Sequence, residues 1–74
     1  MISELDVVAL TRAFPEHKLQ AGDTGTVVDF SPDGQWLTVE FMTHDGRTVA
    51  VETFEASAVR EIGKQEIAQT REVA

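Results

Sequence analysis

Leu19-Gln20-Ala21-Gly22-Asp23-Thr24-Gly25-Thr26-Val27-Val28-Asp29-Phe30 is the stretch whose reading decides the fold. A glycine-bearing turn runs straight into an apolar, β-branched segment, so a strand is expected to start near Thr24. Gly22 can take a positive φ without the clash a β-carbon would bring, and the Asp23 carboxylate can bond nearby backbone amides. Gly25 stands where the strand begins, a position at which glycine marks a bulge or a close approach of two backbones. No lysine follows, the next element is a strand, and Asp23 puts negative charge where an anion would sit. The stretch is therefore not a phosphate loop but a structural corner.

Downstream, residues 24–30 end at Ser31-Pro32-Asp33-Gly34-Gln35, a turn in which Pro32 and Gly34 take ordinary turn roles. Residues 36–43 then alternate cleanly, with Leu37, Val39 and Phe41 facing inward and Thr38 and Glu40 outward. Asp45-Gly46 between two β-rich runs signals a hairpin. Residues 48–55 form a fourth strand whose expected inward set is Val49, Val51 and Thr53, with Phe54 on the opposite face. Ala56-Ser57-Ala58 reads as one helical turn leading into residues 59–62, a short last strand that pairs with the first.

Upstream, residues 5–11 are rich in β-branched and apolar side chains and read as the first strand, with Val8 and Leu10 on one face and Leu5, Val7 and Ala9 on the other. Residues 12–20 make a long connection in which Pro15 holds Phe14 extended. Clipped down by Phe14 and Leu19, this loop is expected to cover one opening. The fold class is all-β: a small five-stranded SH3-like barrel over residues 1–63, with a short helical turn before the last strand. Closure removes exposed edges, and an open antiparallel sheet is the alternative. Residues 64–74 form a C-terminal tail with Ile67 and Val73 as its sizeable apolar residues, expected as a frayed helix or disordered.

The totals narrow the function. A 74-residue chain is one small domain, and it buries only about 60% of the surface its unfolded state exposes. It has no cysteine, hence no disulfide and no thiolate metal site, which fits a reducing cytoplasm. Met1 to Asp6 is acidic and does not read as a signal peptide, and no apolar run is long enough for a membrane span. Thirteen acidic against six basic residues give a net charge of −7, and the basic ones are scattered. Nucleic acid is therefore disfavoured as a partner, and a basic protein is favoured.

Leu5-Asp6-Val7-Val8-Ala9-Leu10 with Pro15-Glu16-His17, then Ala21-Gly22-Asp23-Thr24-Gly25-Thr26-Val27-Val28, Val39-Glu40-Phe41 and Asp45-Gly46-Arg47-Thr48 resemble a family of small bacterial proteins, domain of unknown function 4926. The resemblance spans roughly residues 4 to 62. It implies an SH3-like fold without an assigned activity, in a family some of whose members accompany other small proteins in the manner of toxin, antitoxin or immunity pairs. The glycine turn also resembles the KOW element of ribosomal and transcription-factor barrels, with Asp23, Asp29 and Asp33 standing where a KOW module carries basic residues.

Catalysis asks for a nucleophile with a base in reach or paired titratable groups in a cleft. His17 and His44 lie in separate loops, where exposed loop histidines are the plain reading and a metal pair helped by Glu16 or Asp45 the remote one. The serines have no elbow motif around them, so neither an enzyme nor a cofactor is expected. Four large apolar residues remain outside the inward pattern: Phe14, Phe30, Trp36 and Met42. Phe30 and Trp36 bracket the 31–35 turn and are expected to face each other across the strands, with Met42 on the Trp36 face and Phe14 folded nearby. Rimmed by Asp29, Asp33 and Glu40, they form a candidate partner-binding surface. The alternative is that the loop or the tail covers Trp36 as ordinary core. Gly22, Asp23, Gly25, Gly34 and Gly46 are assigned to structural turns. The expected function is a protein-interaction module acting on a basic protein or on a second copy of the chain. The alternatives are a KOW-like nucleic-acid module and an acidic mimic of nucleic acid.

Overall fold

The computed structural model describes residues 2–73. Five strands, β1 (Val7–Leu10), β2 (Thr24–Phe30), β3 (Trp36–Met42), β4 (Thr48–Glu55) and β5 (Val59–Glu61), form one antiparallel sheet in the order β4-β3-β2-β1-β5. The helical turn expected before the last strand is present as a 3-10 turn at Ala56–Ala58. Among the described residues no helix is long and apolar enough to cross a membrane.

A flat sheet of five strands would hold its edges about 19 Å apart at the usual spacing of neighbouring strands. The two edges here are β4 and β5, and three residues of tight 3-10 geometry join them. A 3-10 turn of that length covers only about 6 Å, so the sheet must curl until its edges approach. Backbone bonds fasten the joint: Ala56 N–H donates to the Gln35 carbonyl at 2.8 Å and Thr11 N–H to the Ala58 carbonyl at 2.8 Å. The ladder itself stays open between β4 and β5.

Inside the curl sit Val8 and Leu10 of β1, Val27 of β2, Leu37, Val39 and Phe41 of β3, Phe54 of β4, and Ala58 and Val59, with Leu19 capping one end. The loop between β1 and β2 closes on itself through the Phe14–Leu19 bridge, with a 3-10 turn at Pro15–His17 between them. Phe14 then sets its ring edge-on against Phe54, 4.7 Å between centroids, so the loop covers one opening as expected.

On β4 the inward set differs from expectation. Register places Phe54 opposite Leu37, Glu52 opposite Val39 and Ala50 opposite Phe41, and residues directly opposite share a face. Ala50, Glu52 and Phe54 therefore face in and Val51 faces out, 49% exposed. The bulky aromatic decided the register, because filling the core with Phe54 excludes far more apolar surface than Thr53 would. A register shift between Phe41 and Met42 turns Val49 far enough to pack against the core as well.

Candidate functional site

Ser31 sets the site's geometry. Its backbone N–H donates to the Trp36 carbonyl at 2.9 Å, its Oγ accepts from Trp36 N–H at 3.1 Å, and its hydroxyl donates to Asp33 Oδ1 at 2.5 Å. Asp33 Oδ1 also accepts from Gln35 N–H at 3.0 Å. The Ser31 hydroxyl first, and the Gln35 amide second, hold the Asp33 carboxyl below its ordinary pKa. Gly34, at φ +72°, completes the turn.

Ser31 thus occupies the position opposite Trp36 that had been expected for Phe30. Phe30 pairs with Leu37 instead, and a one-residue difference in register places a side chain on the other face. Phe30 lies on the face of Leu37, half-exposed at its rim, whereas Trp36 faces outward opposite Glu55. A register shift between Val27 and Asp29 makes Val28 the extra residue. The expected aromatic pair does not form. Nor does the four-residue patch: Phe14 packs on Phe54 at the inner side, with the Arg12 guanidinium 4.9 Å from its ring centroid.

What the outer face does present is a strip along β3 and β4. Trp36 is 47% exposed, Met42 50% and Val51 49%, so the reading in which loop or tail buries Trp36 is overturned. Trp36 and Met42 share β3 but stand six positions apart, roughly 20 Å along an extended strand. Between them Thr38 and Thr53 join hydroxyls at 2.9 Å, and Glu40, opposite Val51, accepts from the Thr48 hydroxyl at 2.9 Å. Asp29 stands beside Thr38 on the β2 side. The strip therefore carries apolar groups at its two ends and carboxylates along its middle and margins.

At the far end of the sheet Gly22 and Gly46 lie in turns, whereas Gly25, also assigned to a turn, lies within β2. Gly22 at φ +89° and Gly46 at φ +91° hold left-handed backbone. Gly25 has no such φ, but a β-carbon there would stand 2.6 Å from Val39 Cγ1 and 2.8 Å from the Glu40 carbonyl oxygen. The close approach of β2 to β3 requires glycine. Asp23 Oδ2 accepts from Gln20 N–H at 2.8 Å, tying the turn, and both carboxylate oxygens accept from Arg71 of the tail. The Arg71 hydrogen bonds, above all, hold the Asp23 carboxyl below its ordinary pKa, with the Gln20 amide adding to them against the effect of partial burial.

Over its described residues, 64–73, the tail forms no helix and lies against the sheet end; Ala74 falls outside the described residues. After a turn at Gly63–Glu66, fastened by Arg60 to Glu66 at 2.7 Å, it crosses the sheet end with Gln69 beside Gly22 and Arg71 on Asp23. Sequence reasoning missed this anchor. The signal available was one arginine in an otherwise unremarkable segment, and nothing local ties it to a residue 48 positions away. His17 Nδ1 lies 3.4 Å from Glu52, and His44 borders the cavity at the β3–β4 turn. Among the described residues no cluster of three or more histidine or carboxylate groups is placed to hold a metal ion.

The fold and this face define a small all-β protein built on one curled antiparallel sheet. The chain matches the family model described as Domain of unknown function (DUF4926) over residues 4–61, and it belongs to that family. No curated protein and no solved structure gives a significant match.

Proposed function

We propose that the chain is a non-enzymatic protein-interaction module that docks a basic protein against the outer strip of β3 and β4. The observation that carries this reading is Trp36: the chain's single tryptophan stands 47% exposed on a sheet face edged by Asp29, Glu40 and Glu55. Aromatic anchors surrounded by polar groups are where binding energy concentrates, because the ring supplies large apolar area while the rim excludes water and selects charge. A net charge of −7 steers a basic partner to the surface and disfavours a phosphate backbone. A regulatory, antitoxin-like or immunity-like role in the cytoplasm is consistent with such a module, and the lack of cysteine suits that reducing compartment.

The single tryptophan also supplies the test. The native chain and Trp36→Ala are immobilised side by side, and recovery of one basic partner is compared at low and moderate salt. The expected result is at least a tenfold loss for Trp36→Ala and weakening of native binding with salt. Equal recovery by both forms removes the assignment. A shift of labelled RNA or DNA by the native chain in the same buffers replaces it with a nucleic-acid module.

A further inference from the structure

Two cavities of about 530 and 610 Å³ flank the C-terminal segment, and they share six wall residues: Leu19, Arg47 and Val49 from the sheet end, and Arg71, Glu72 and Val73 from the tail. The tail is a partition laid along one larger cleft. Its hold is narrow. Residues 67–72 are exposed and Val73 is half-buried, and among the described residues no backbone hydrogen bond ties residues 67–73 to the rest of the chain. Arg71 is the anchor: Nε donates to Asp23 Oδ1 at 2.8 Å, Nη2 donates to Asp23 Oδ2 at 2.5 Å, and Nη2 also donates to the Lys18 carbonyl at 3.1 Å.

The receiving side is built for this group. With Arg71 seated on it the Asp23 side chain is 17% exposed, and the Gln20 N–H holds its carboxylate in place through one oxygen. With the Lys18 carbonyl beside it, the set of acceptors matches the planar fork of a guanidinium and not the point charge of an ammonium. Leu19 and Val49 offer apolar wall on the two sides of whatever lies there.

We propose that this cleft is a receptor for an extended segment of a partner protein that presents an arginine, and that the chain's own tail occupies it in cis as a displaceable stand-in. A short tether keeps the tail at an effective concentration on the order of millimolar. A tail whose residues beyond Glu66 are held by polar contacts at one side chain, Arg71, excludes weak arginine segments at that concentration and yields to those with further contacts along Leu19 and Val49. Trp36 borders neither cavity, whereas Met42, at the other end of the outer strip, borders the first, so the two sites meet at Met42 and are told apart at Trp36.

The probe is a fluorescein-labelled peptide carrying the sequence of residues 64–73, added to the full-length native chain and to full-length Arg71→Ala. Fluorescence anisotropy is expected to show at least tenfold tighter binding by Arg71→Ala, whose cleft is no longer held by its own arginine. A second peptide with citrulline in place of arginine keeps the shape and loses the charge, and is expected to bind at least tenfold more weakly. Asp23→Asn in the Arg71→Ala background keeps the acceptor for Gln20 N–H and is expected to abolish binding. If that double variant does not fold, the citrulline arm carries the same test on an unaltered receptor. Equal affinity of the native chain and Arg71→Ala overturns the proposal, as does undiminished binding of the citrulline peptide. Exchange of tails between two native chains, seen as a concentration-dependent dimer without peptide binding by Arg71→Ala, also overturns it by giving the cleft to a second copy. Trp36→Ala is expected to leave these affinities unchanged whatever its effect on the outer strip.

Discussion

Phe30 stands opposite Leu37, not opposite Trp36, and that one-residue difference separates the two exposed aromatics onto different faces of the sheet. The Ser31 hydroxyl enforces it by bridging Trp36 N–H and Asp33. Ser31→Ala is expected to lower stability by about 0.5–1.5 kcal/mol, the net worth of such a hydrogen bond. It is also expected to raise the Asp33 pKa, since the lost hydroxyl is the main group holding that carboxylate ionised. Denaturant unfolding followed by Trp36 emission measures the first effect, and a carboxyl-carbon NMR titration the second.

The two kinds of glycine should separate in substitution. Gly34, at φ +72°, has open space around the position of a β-carbon, so only its backbone conformation resists substitution. Gly34→Asn is expected to cost under about 0.5 kcal/mol, because Asn tolerates the left-handed region. Gly25→Ala must push its new methyl group against Val39 and the Glu40 carbonyl, and a ladder carbonyl cannot withdraw without opening the β2–β3 pairing. The expected cost is about 1–3 kcal/mol, the range for overpacking. Gly22→Val, at φ +89°, is expected to exceed about 1 kcal/mol through backbone strain. Urea midpoints of the three variants decide it.

The face of β4 can be checked by a contrasting pair. Phe54→Ala removes a ring that meets both Phe14 and Phe41 edge-on inside the core, and is expected to cost about 3–5 kcal/mol. Val51→Lys, on the outer face, is expected to stay within about 0.5 kcal/mol of the native chain. Thermal unfolding by circular dichroism would reverse that order if the valines faced inward.

Acid should weaken the tail anchor with a definite sign. The Asp23 pKa is lower in the folded chain than in the unfolded one, chiefly through the Arg71 hydrogen bonds. Its contribution is therefore fully present above the ordinary carboxylate pKa and is lost as pH falls through the depressed folded value. The native chain is expected to be more stable than Arg71→Ala at neutral pH, with the gap closing below about pH 4, where an ordinary Asp begins to protonate. Urea denaturation of both forms between pH 7 and pH 2 measures the gap.

Much of this was legible locally. The alternation of Leu37, Val39 and Phe41 gave β3, the Asp-Gly pair gave the second hairpin, and Gly25 gave a close approach, because each reports on neighbours a few residues away. Three features escaped for the same physical reason. The Phe30–Trp36 pairing turned on whether Ser31 counts as loop or ladder, which a side-chain bond decides and periodicity does not register. On β4 both faces carry apolar residues, so only the partner strand settles which is inside. Arg71 reaches Asp23 across most of the chain, and an isolated ion pair leaves no pattern in sequence. For the candidate surface, exposure of Trp36 was the question sequence left open, and the curled sheet answers it.

The joint at Ala56–Ala58 has a consequence for how the protein is made. β1 is made before the other four strands of this sheet, yet one of its two edges is completed by β5, with Val8 opposite Glu61. That pairing closes a loop of about fifty residues, among the most entropically demanding contacts in a chain this short. Until the ribosome releases residue 61, the apolar edge of β1 has no neighbour on that side. The earliest-made strand of the sheet is finished last, and a nascent chain paused before β5 would offer that edge to any extended segment it met.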